Sequence, residues 1–260
     1  MNICEFVADN SQNKFIFAGM CYHIEIPSAA EIREYLVIPA HVESWEDGYY
    51  AMNGFNSEPI PVMTSEHPHS IKSYNWGLIP AWCKDEQQAN ELRKMTLNAK
   101  SETVFEKPSF RQSISGKRCL VFVKGFYEWK ELNKKKYPYY IHLKSQPVFT
   151  MGGLYDSWVN TSTGEIVNSV AIITTEANPL MADIHNTKKR MPLIFDKEQE
   201  KNWLKNDLDK EEIIRRMQPF DENKMEAYTI SKLISSRTED RNKPGVKNKF
   251  QYAELSPGLF

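Results

Sequence analysis

The sequence predicts an α+β fold, with a mostly antiparallel sheet or an open β-barrel as its core and helices at its periphery. Apolar runs of about five to eight residues, a length typical of strands, dominate the middle of the chain. These runs do not alternate with helical patterns, as the strands of a doubly wound sheet would. No Gly/Ser-rich linker and no internal repeat interrupts the 260 residues, so we expect one continuous domain.

Four segments have the patterns of helices. Ser28 and Glu31 have the spacing of a capping box, which would open a short helix toward Leu36. The other predicted helices cover residues 84–95, 196–204 and 208–217.

The strands are predicted from apolar runs rich in β-branched and aromatic residues. They cover residues 119–123, 137–143, 148–154, 170–175 and 191–195. Within the last of these, Pro192 has no N–H to donate, which favours an edge strand or a strand start.

The N-terminal residues and the hydropathy of the chain indicate in which cellular compartment the protein is expected. The first 19 residues lack an N-terminal positive charge, and Asp9 and Asn10 fall where a signal peptide would be apolar. No stretch approaches the roughly 20 apolar residues that span a bilayer. We therefore expect a cytoplasmic protein that makes no use of a membrane.

Metal and cofactor motifs are not found in the sequence. The spacing of the four cysteines matches neither a zinc site nor a small disulfide framework, which predicts thiols in a reducing compartment. No GxGxxG or P-loop pattern is present, so we expect no nucleotide cofactor, and no metal.

The charge is uneven although the formal net charge is only −1. Residues 111–144 contain nine Lys and Arg against two Glu, a local excess of seven positive charges, whereas residues 196–212 are acidic. Such a basic segment can bind nucleic acid, or it can be an ordinary solvated face.

Four short segments combine reactive side chains with glycine, proline or aromatic residues. They are Gly19–His23, Trp76–Trp82 together with Leu97–Thr103, Gly125–Trp129, and Asp183–Asn186 leading into Lys189–Pro192. A structural role would explain each candidate alone: Cys21 as a buried hydrophobe, Asn98 as a turn former, His185 as a helix-end histidine. Glu128 lies between two aromatic residues after an apolar strand. Burial there would favour its protonated form and suit acid–base chemistry, whereas exposure would make it a solvated carboxylate.

Taken in order, these motifs resemble those of the SRAP family, DNA-repair proteins that cross-link an N-terminal cysteine to abasic sites in single-stranded DNA. The matching stretches are Trp-Gly-Leu-Ile-Pro from Trp76, Asn-Ala-Lys-Ser-Glu-Thr from Asn98, Gly-Phe-Tyr-Glu-Trp-Lys from Gly125 and Ile-His through Arg-Met-Pro from Ile184. The resemblance runs from Met20 to about Pro257. We therefore expect residues 20–260 to form an SRAP-like domain and residues 1–19 to be a leader that the active form lacks.

The resemblance implies a monomer that uses no cofactor, binds single-stranded DNA and forms a thiazolidine cross-link with the aldehyde of an abasic site. It also implies autopeptidase (hydrolase) activity, a lyase activity and slow release of the cross-link; the sequence identifies no protein partner. Cys21 would be the nucleophile, Asn98 would hydrogen-bond at the cross-link, and Glu128 and His185 would shuttle protons. The DNA-binding residues that it implies are Lys100, Trp76, Lys188, Lys189 and Arg190. Core packing is the alternative for the Trp76 ring.

The chain departs from the family's pattern in three ways. The family's cysteine directly follows the initiator methionine, whereas 19 residues precede Met20-Cys21 here. An internal cysteine has its nitrogen in a peptide bond and cannot form an imine. Translation therefore starts at Met20, which we favour, or the leader is cleaved off at the Met20–Cys21 bond. Tyr22-His23 replaces the usual Gly-Arg, and Lys100 replaces an arginine, which keeps the charge but loses the bidentate fork.

An N-terminal cysteine suits capture of an aldehyde because only an uncharged amine attacks it. Near pH 7.5 roughly a third of α-amines are neutral, against about 0.1% of lysine side chains. The thiol of the same residue can then close a five-membered ring. Two other functions remain open from the residues: a thiol peptidase or amidase that acts mainly on its own leader, and a non-catalytic module that binds single-stranded DNA.

Overall fold

The structure, a computed structural model, describes residues 22–36, 40–43 and 48–255. Within these ranges the chain is α+β, as the sequence predicted. The strands are β1 (His23–Ile26), β2 (His41–Val42), β3 (Tyr49–Asn53), β4 (Pro59–Thr64), β5 (Ser70–Trp76), β6 (Asn98–Lys100), β7 (Arg118–Val123), β8 (Gly125–Leu132), β9 (Lys135–Leu143), β10 (Phe149–Val159), β11 (Ile166–Glu176), β12 (Arg190–Pro192), β13 (Ile194–Phe195) and β14 (Met225–Thr229). The α-helices are α1 (Ala29–Tyr35), α2 (Glu86–Met95), α3 (Ser113–Gly116), α4 (Pro179–Ile184), α5 (Lys197–Trp203) and α6 (Lys210–Arg216).

A five-stranded barrel forms the centre of the fold. Its strands follow the order β11-β10-β7-β4-β5, and β5 pairs with β11 in parallel, Asn75 opposite Ser169 and Trp76 opposite Val170. This last pairing closes the barrel, a feature that the predicted sheet or open β-barrel did not specify. Short strands extend the sheet at the rim: β6 and β12 both pair with β11, β13 pairs with β10 and β2 pairs with β5.

A second sheet, entirely antiparallel, has the strand order β14-β9-β8-β1-β3. Its register places His23 of β1 opposite Tyr127 of β8, and Glu128 of β8 opposite Tyr139 of β9. Gly125 begins β8 where a Cβ atom would come within 2.5 Å of the Tyr140 ring, so only glycine fits this crossing.

Two apolar clusters form most of the core. The first contains side chains from all five barrel strands and joins them to Ile24, Phe126 and Ile141 of the second sheet. The second covers the other side of the barrel wall, where Trp203 of α5 and Ile213 of α6 pack. The sheet and the barrel therefore share one continuous interior, and α5 and α6 lie on the outside.

The predicted helices are confirmed, with starts set by their caps. The Ser28–Glu31 capping box is present and α1 ends at Tyr35. The second helix begins at Glu86 instead of the predicted Lys84, because the Asp85 side chain caps it by accepting from the Gln88 N–H.

The predicted strands are also present, with β10 and β11 longer than expected. Both strands continue beyond their apolar runs into polar residues, up to the turn between Val159 and Ile166. They stay extended there because they pair with each other as a hairpin. The predicted strand 191–195 is two short strands that pair with different neighbours, β12 with β11 and β13 with β10.

The basic segment 111–144 does not form one basic face. Arg118 is completely buried and donates to the carbonyls of Ile114, Ser115, Trp203 and Lys205. Other cations of the segment form ion pairs, including Lys117 with Asp156, Lys124 with Glu31 and Lys130 with Asp183. Within the described ranges, no helix has both the length and the apolar character needed to cross a bilayer.

Candidate active site

Glu128 and His185 form a buried pair between the second sheet and helix α4. Glu128 lies in the middle of β8, and His185 is the C-cap residue of α4. The imidazole Nδ1 atom is 3.9 Å from the carboxylate Oε1 atom, and each side chain is only 6% exposed. This separation exceeds a hydrogen bond, so the two groups can act on different atoms of a bound reactant.

The hydrogen bonding of His185 defines its protonation. Its Nδ1 atom lies 3.1 Å from the carbonyl oxygen of Arg190. A carbonyl only accepts, so Nδ1 carries the hydrogen, and Nε2 holds the lone pair of the neutral ring. Burial lowers the pKa of His185, helped by the charges of Lys188, Arg190 and Lys136, although the Arg190 carbonyl opposes the shift. The ring is therefore neutral at neutral pH and can accept a proton at Nε2.

Two contacts fix the turn that carries His185 to strand β8. The side-chain amide of Asn186 accepts from the Glu131 N–H at 3.0 Å and donates to the Glu131 carbonyl at 2.8 Å. One turn earlier, Asp183 forms an ion pair with Lys130 at 2.7 Å. The Asn186 amide thus makes the two backbone hydrogen bonds that a neighbouring strand would make with this edge of β8. These bonds hold this turn, and with it the His185 imidazole, beside Glu128.

Asn98 and Lys100 belong to β6, which pairs in parallel with β11 and places Lys100 opposite Thr174. On the other edge of β11, Thr174 is opposite Pro192 of β12. Because neighbouring strands are about 4.8 Å apart, β6 and β12 are separated by roughly 10 Å. Asn98 is half-buried and Lys100 is exposed. The motifs that start at Asn98 and Ile184 therefore meet across a single strand.

The Arg190 side chain links those two motifs. Its guanidinium bonds both carboxylate oxygens of Glu102, in the turn after β6, and donates to the Thr174 carbonyl at 2.7 Å. Partial burial, the largest single effect, would raise the pKa of Glu102. The hydrogen bonds and charge of Arg190, together with hydrogen bonds from the Glu102 backbone and the Ser101 side chain, lower the pKa overall. Arg190 thus has an internal role, whereas Lys188 and Lys189 are exposed.

Trp76 is not placed to stack on a base. Its side chain is 0% exposed, and its indole N–H donates to the Leu97 carbonyl at 2.9 Å. The DNA-stacking interpretation is corrected here in favour of core packing. Trp82, at the end of the same motif, is 40% exposed, and its indole N–H reaches the Pro108 carbonyl at 3.4 Å. It is the aromatic residue of this motif that is available to a ligand.

Cys21 and the leader lie outside the described residues. Tyr22, the residue bonded to Cys21, packs its ring 4.5 Å from Phe55, and its carbonyl accepts from the Gly54 N–H at 2.9 Å. The following residue, His23, is opposite Tyr127. The chain that leaves Cys21 is therefore anchored beside the residue that precedes Glu128.

His23 stands where the family commonly has arginine, and it does not replace that charge. Burial lowers the pKa of His23 to about 4, helped by the charge of Arg241. The Arg241 Nη1 atom is 3.5 Å from His23 Nε2. The positive charge at this position is supplied by Arg241, from a segment more than 200 residues along the chain.

The two described cysteines are unsuited to nucleophilic chemistry. Cys83 and Cys119 are buried free thiols. Burial raises the pKa of Cys83 to about 11 and also raises that of Cys119. Within the described ranges, no group of three or more His, Cys, Asp or Glu side chains is arranged to hold a metal ion.

Sequence reasoning missed two residues with contacts in this region, Asn186 and Arg241, and it also overlooked the exposed Trp82. Asn186 was visible in the motif after His185 but was given no role. Trp82 was overlooked because exposure cannot be read from an aromatic motif. Arg241 gave no local signal, since only the fold brings it to His23.

The fold and the pair define a protein with a closed β-barrel, a flanking antiparallel sheet and a buried carboxyl–imidazole site. The chain matches the sequence profile of the family described as SOS response associated peptidase (SRAP) over residues 20–237, and it belongs to that family. It is 45% identical over 179 residues to the abasic site processing protein YoqW of Bacillus subtilis, covering 68% of this chain and 76% of that protein.

A more distant relative and a solved structure are also similar to this chain. The abasic site processing protein HMCES of Xenopus tropicalis is 34% identical over 153 residues, which cover 52% of this chain and 44% of that protein. A crystal structure of a protein from Bacteroides thetaiotaomicron is 39% identical and superimposes with a TM-score of 0.82, covering 89% of this chain and all of the other.

Proposed function

We propose that this protein processes abasic sites in single-stranded DNA, acting as a monomer that forms a thiazolidine cross-link through Cys21 as its N-terminal residue. The observation that carries the proposal is the buried Glu128–His185 pair beside the strand that follows Cys21. The family membership supports the substrate class, because several relatives are named abasic site processing proteins.

The reaction forms two bonds to one carbon and releases one water. The α-amine of Cys21 adds to the aldehyde carbon of the opened deoxyribose and gives a carbinolamine. Loss of its hydroxyl as water leaves an imine. The Cys21 sulfur then bonds to the imine carbon, and the nitrogen takes up the proton that the thiol released. No oxidant or reductant is required.

Proton transfer is assigned to the buried pair. His185 is neutral, with its lone pair at Nε2, and suits removal of a proton from the amine or the thiol. Glu128 suits protonation of the sugar oxygen on ring opening and of the departing hydroxyl. Asn98, at the half-buried start of β6, would orient the cross-link by hydrogen bonding.

DNA binding is assigned to the exposed rim around this pair. Lys100, Lys188 and Lys189 are exposed cations and would contact phosphates. Trp82 replaces Trp76 as the residue proposed to stack on a base. Arg190 would shape the site through Glu102, and its contact with a phosphate would have to compete with that ion pair.

The chemistry requires Cys21 to have a free α-amine. The active form is therefore proposed to begin at Cys21, either because translation starts at Met20 and the initiator methionine is then removed, or because the protein cleaves its own Met20–Cys21 bond. The second route would make the chain an autopeptidase as well. Slow hydrolysis of the thiazolidine back to aldehyde would give the release activity.

The test is a denaturing gel with protein that begins at Cys21, its N-terminus verified by mass spectrometry. We expect a shifted band with single-stranded DNA that carries an abasic site, and no shifted band with intact DNA. Cys21→Ala should lose the stable adduct while keeping an α-amine that borohydride can trap as an imine.

The 260-residue form provides the matched control, because its Cys21 nitrogen is an amide. It should give no adduct unless mass spectrometry shows that the leader has been removed. No band from the verified Cys21 form would reject cross-linking. Equal yield from an intact 260-residue chain would move the reactive amine to a lysine. Removal of the leader by the wild type and not by Cys21→Ala would establish the peptidase activity.

A further inference from the structure

A mostly apolar pocket of about 420 Å³ lies outside the barrel wall, beside α5 and the end of α1. Its lining includes Met63 of β4 and Leu120 of β7, which are opposite each other in the sheet. Leu36 and Leu204 contribute further apolar surface. Pockets for small ligands usually measure roughly 300–1,000 Å³, so this one can accept a large apolar side chain.

The pocket faces away from the candidate active site. Successive side chains of β7 point to opposite faces, so Leu120 packs in the cluster under α5, whereas its neighbour Val121 packs in the cluster that the barrel shares with the second sheet. Ile184, the residue before His185, belongs to that shared cluster. A ligand in the pocket would therefore not contact the residues assigned to cross-linking.

A buried carboxylate, Glu200 of α5, lines the pocket. Its Oε1 atom accepts from the hydroxyls of Tyr35 and Thr150. Its Oε2 atom lies 3.7 Å from the Lys197 Nζ atom, a separation longer than a hydrogen bond. A carboxylate oxygen can accept two hydrogen bonds, so Oε2 keeps the capacity to accept one from a ligand N–H.

Two of these neighbours have shifted pKa values. Burial, followed by the charge of Glu200, raises the pKa of the Tyr35 hydroxyl. Burial lowers the pKa of the Lys197 ammonium, although Glu200 opposes this shift. The proposed cross-linking chemistry uses none of these groups. Titratable groups perturbed together beside a cavity are typical of a binding site.

The pocket carries three lysines, Lys197, Lys201 and Lys205, against one carboxylate among the described residues that line it. Lys197 and Lys201 are one turn apart on α5, and Lys205 follows the end of that helix. The guanidinium of buried Arg118 donates to the Lys205 carbonyl and fixes the backbone there. Because Lys201 and Lys205 are exposed, their charges are available to acidic groups beside the apolar lining.

We propose that this pocket binds an acidic peptide segment of a partner protein, with one large apolar side chain inserted against Met63 and Leu120. Carboxylates of the segment would pair with Lys201 and Lys205, and a backbone N–H would donate to Glu200. The partner could then stay bound while the opposite side of the protein holds DNA. This inference goes beyond the proposed function and does not depend on it.

The lining favours a peptide over other anions. A phosphodiester chain has a negative charge on every nucleotide, which the Glu200 carboxylate within the pocket would oppose. The acyl chain of a lipid has no N–H for the Oε2 atom. A peptide has a backbone N–H at almost every residue, and it can combine an apolar side chain with acidic ones.

The test measures fluorescence anisotropy of a fluorescein-labelled peptide, Gly-Asp-Glu-Phe-Asp-Glu-Gly, with the 260-residue protein. We expect saturable binding. A peptide with Ala in place of Phe should bind about ten-fold or more weakly, because the apolar anchor is lost. A peptide with Asn and Gln in place of Asp and Glu should also bind about ten-fold more weakly at low salt, and its affinity should change little with salt.

Protein variants locate the contact. Lys201→Ala/Lys205→Ala should weaken binding about ten-fold, whereas the control Lys84→Ala/Lys94→Ala should stay within about two-fold. Both double variants remove two exposed lysines and change the net charge equally, but the control lysines lie at α2. Ala40→Phe places a ring in the pocket and should abolish binding. Melting temperatures check each fold, and if Ala40→Phe unfolds, the two lysine pairs decide.

Several results would overturn the proposal. They are no binding up to about 1 mM peptide, equal binding of the peptide that lacks Phe, and equal weakening by the two lysine pairs. Displacement of the peptide by single-stranded DNA would make the pocket part of the DNA surface. The DNA for this test carries a tetrahydrofuran lesion analogue, which has no aldehyde and cannot cross-link.

Other occupants have their own signatures, and each would also overturn the proposal. A dimer in sedimentation that Ala40→Phe dissociates would assign the pocket to a second copy of the chain. Co-sedimentation with phosphatidylglycerol vesicles that Lys201→Ala/Lys205→Ala abolishes would assign it to a lipid surface. Cross-linking by these variants should match wild type. Failure of the Cys21 form to cross-link, with intact peptide binding, would reject the proposed reaction and retain the pocket.

Discussion

The His185 imidazole and the Glu128 carboxylate approach within 3.9 Å, yet the hydrogen on Nδ1 is directed to the Arg190 carbonyl at 3.1 Å. The ring is thus oriented by the backbone and not by the carboxylate. In the proposed mechanism, the two groups are close enough to contact the same bound reactant.

Removal of either group should slow cross-linking without abolishing DNA binding. We expect Glu128→Gln and His185→Ala to lower the single-turnover rate of adduct formation by about 10²–10⁴-fold, the usual contribution of a general acid or base. Binding to tetrahydrofuran-containing DNA should stay within a few-fold of wild type. Full-rate cross-linking by both variants would remove the pair from the mechanism, and a collapsed melting temperature would leave only a role in folding.

Asn186 should act as a positioning residue for His185. Replacing it with Ala removes both bonds to the Glu131 backbone and frees the turn, so adduct formation should slow by about ten-fold or more, while stability falls by about 1 kcal/mol. The acidic limb of the pH–rate profile should move toward the ordinary histidine range as the ring becomes solvated. A purely structural amide would leave that limb in place.

The comparison for Asn186→Ala is Asp183→Ala, which breaks the ion pair with Lys130 on the same turn. Asp183 is 66% exposed, and exposed pairs contribute little. Its cross-linking rate should therefore stay close to wild type. An equal rate loss in both variants would show that any loosening of the turn suffices, and the specific role of the amide would be lost.

Replacing Trp76 should lower mainly the stability of the fold, whereas replacing Trp82, in the same motif, should lower mainly the affinity for DNA. Trp76→Ala should cost about 3–5 kcal/mol of unfolding free energy, because it empties a core site. Trp82→Ala should leave the melting temperature nearly unchanged and weaken binding to single-stranded DNA by about 1–3 kcal/mol if a base stacks on it. Urea denaturation and fluorescence anisotropy measure the two effects, and unchanged binding by Trp82→Ala would withdraw the stacking role.

Acidification should destabilise the fold through His23. Its pKa is about 4 in the folded state against 6.5 in the unfolded chain, so between these values the unfolded chain binds a proton that the folded one does not. The contribution of neutral, buried His23 to stability is therefore fully present above pH 6.5, and it is lost progressively as the pH falls toward 4. Between pH 7.5 and pH 5 this group should cost about 2 kcal/mol.

Denaturation of His23→Asn at both pH values tests the sign and the size. The difference in unfolding free energy between wild type and His23→Asn should narrow by about 2 kcal/mol at pH 5. A wild type that becomes relatively more stable at pH 5 would contradict the buried neutral state of His23.

The sequence was most informative where local chemistry decides structure. The Ser28–Glu31 box, the apolar strand at Cys119–Val123 and the motifs around Glu128 and His185 all depend on neighbours along the chain. The sequence was least informative where distant segments meet. Closure of the barrel by the parallel pairing of β5 and β11, and the approach of Arg241 to His23, have no local pattern.

The same limit explains why Trp76 was assigned to DNA. A motif identifies an aromatic residue but not the side of the strand on which it lies, and burial in the barrel depends on strands that follow much later. The charge count has a related limit, since it gave buried Arg118 and an exposed lysine equal weight.

The strands that build the barrel and the candidate site are synthesised one after another. During synthesis β8, with Glu128, leaves the ribosome well before β11, the strand that both closes the barrel and holds β6 with Asn98. His185 follows later still, on the turn after α4. If Cys21 becomes the N-terminal residue during synthesis, as proposed, the Glu128–His185 pair is not yet assembled around it. The proposed cross-linking would then have to wait until β11 and the turn after α4 have been made.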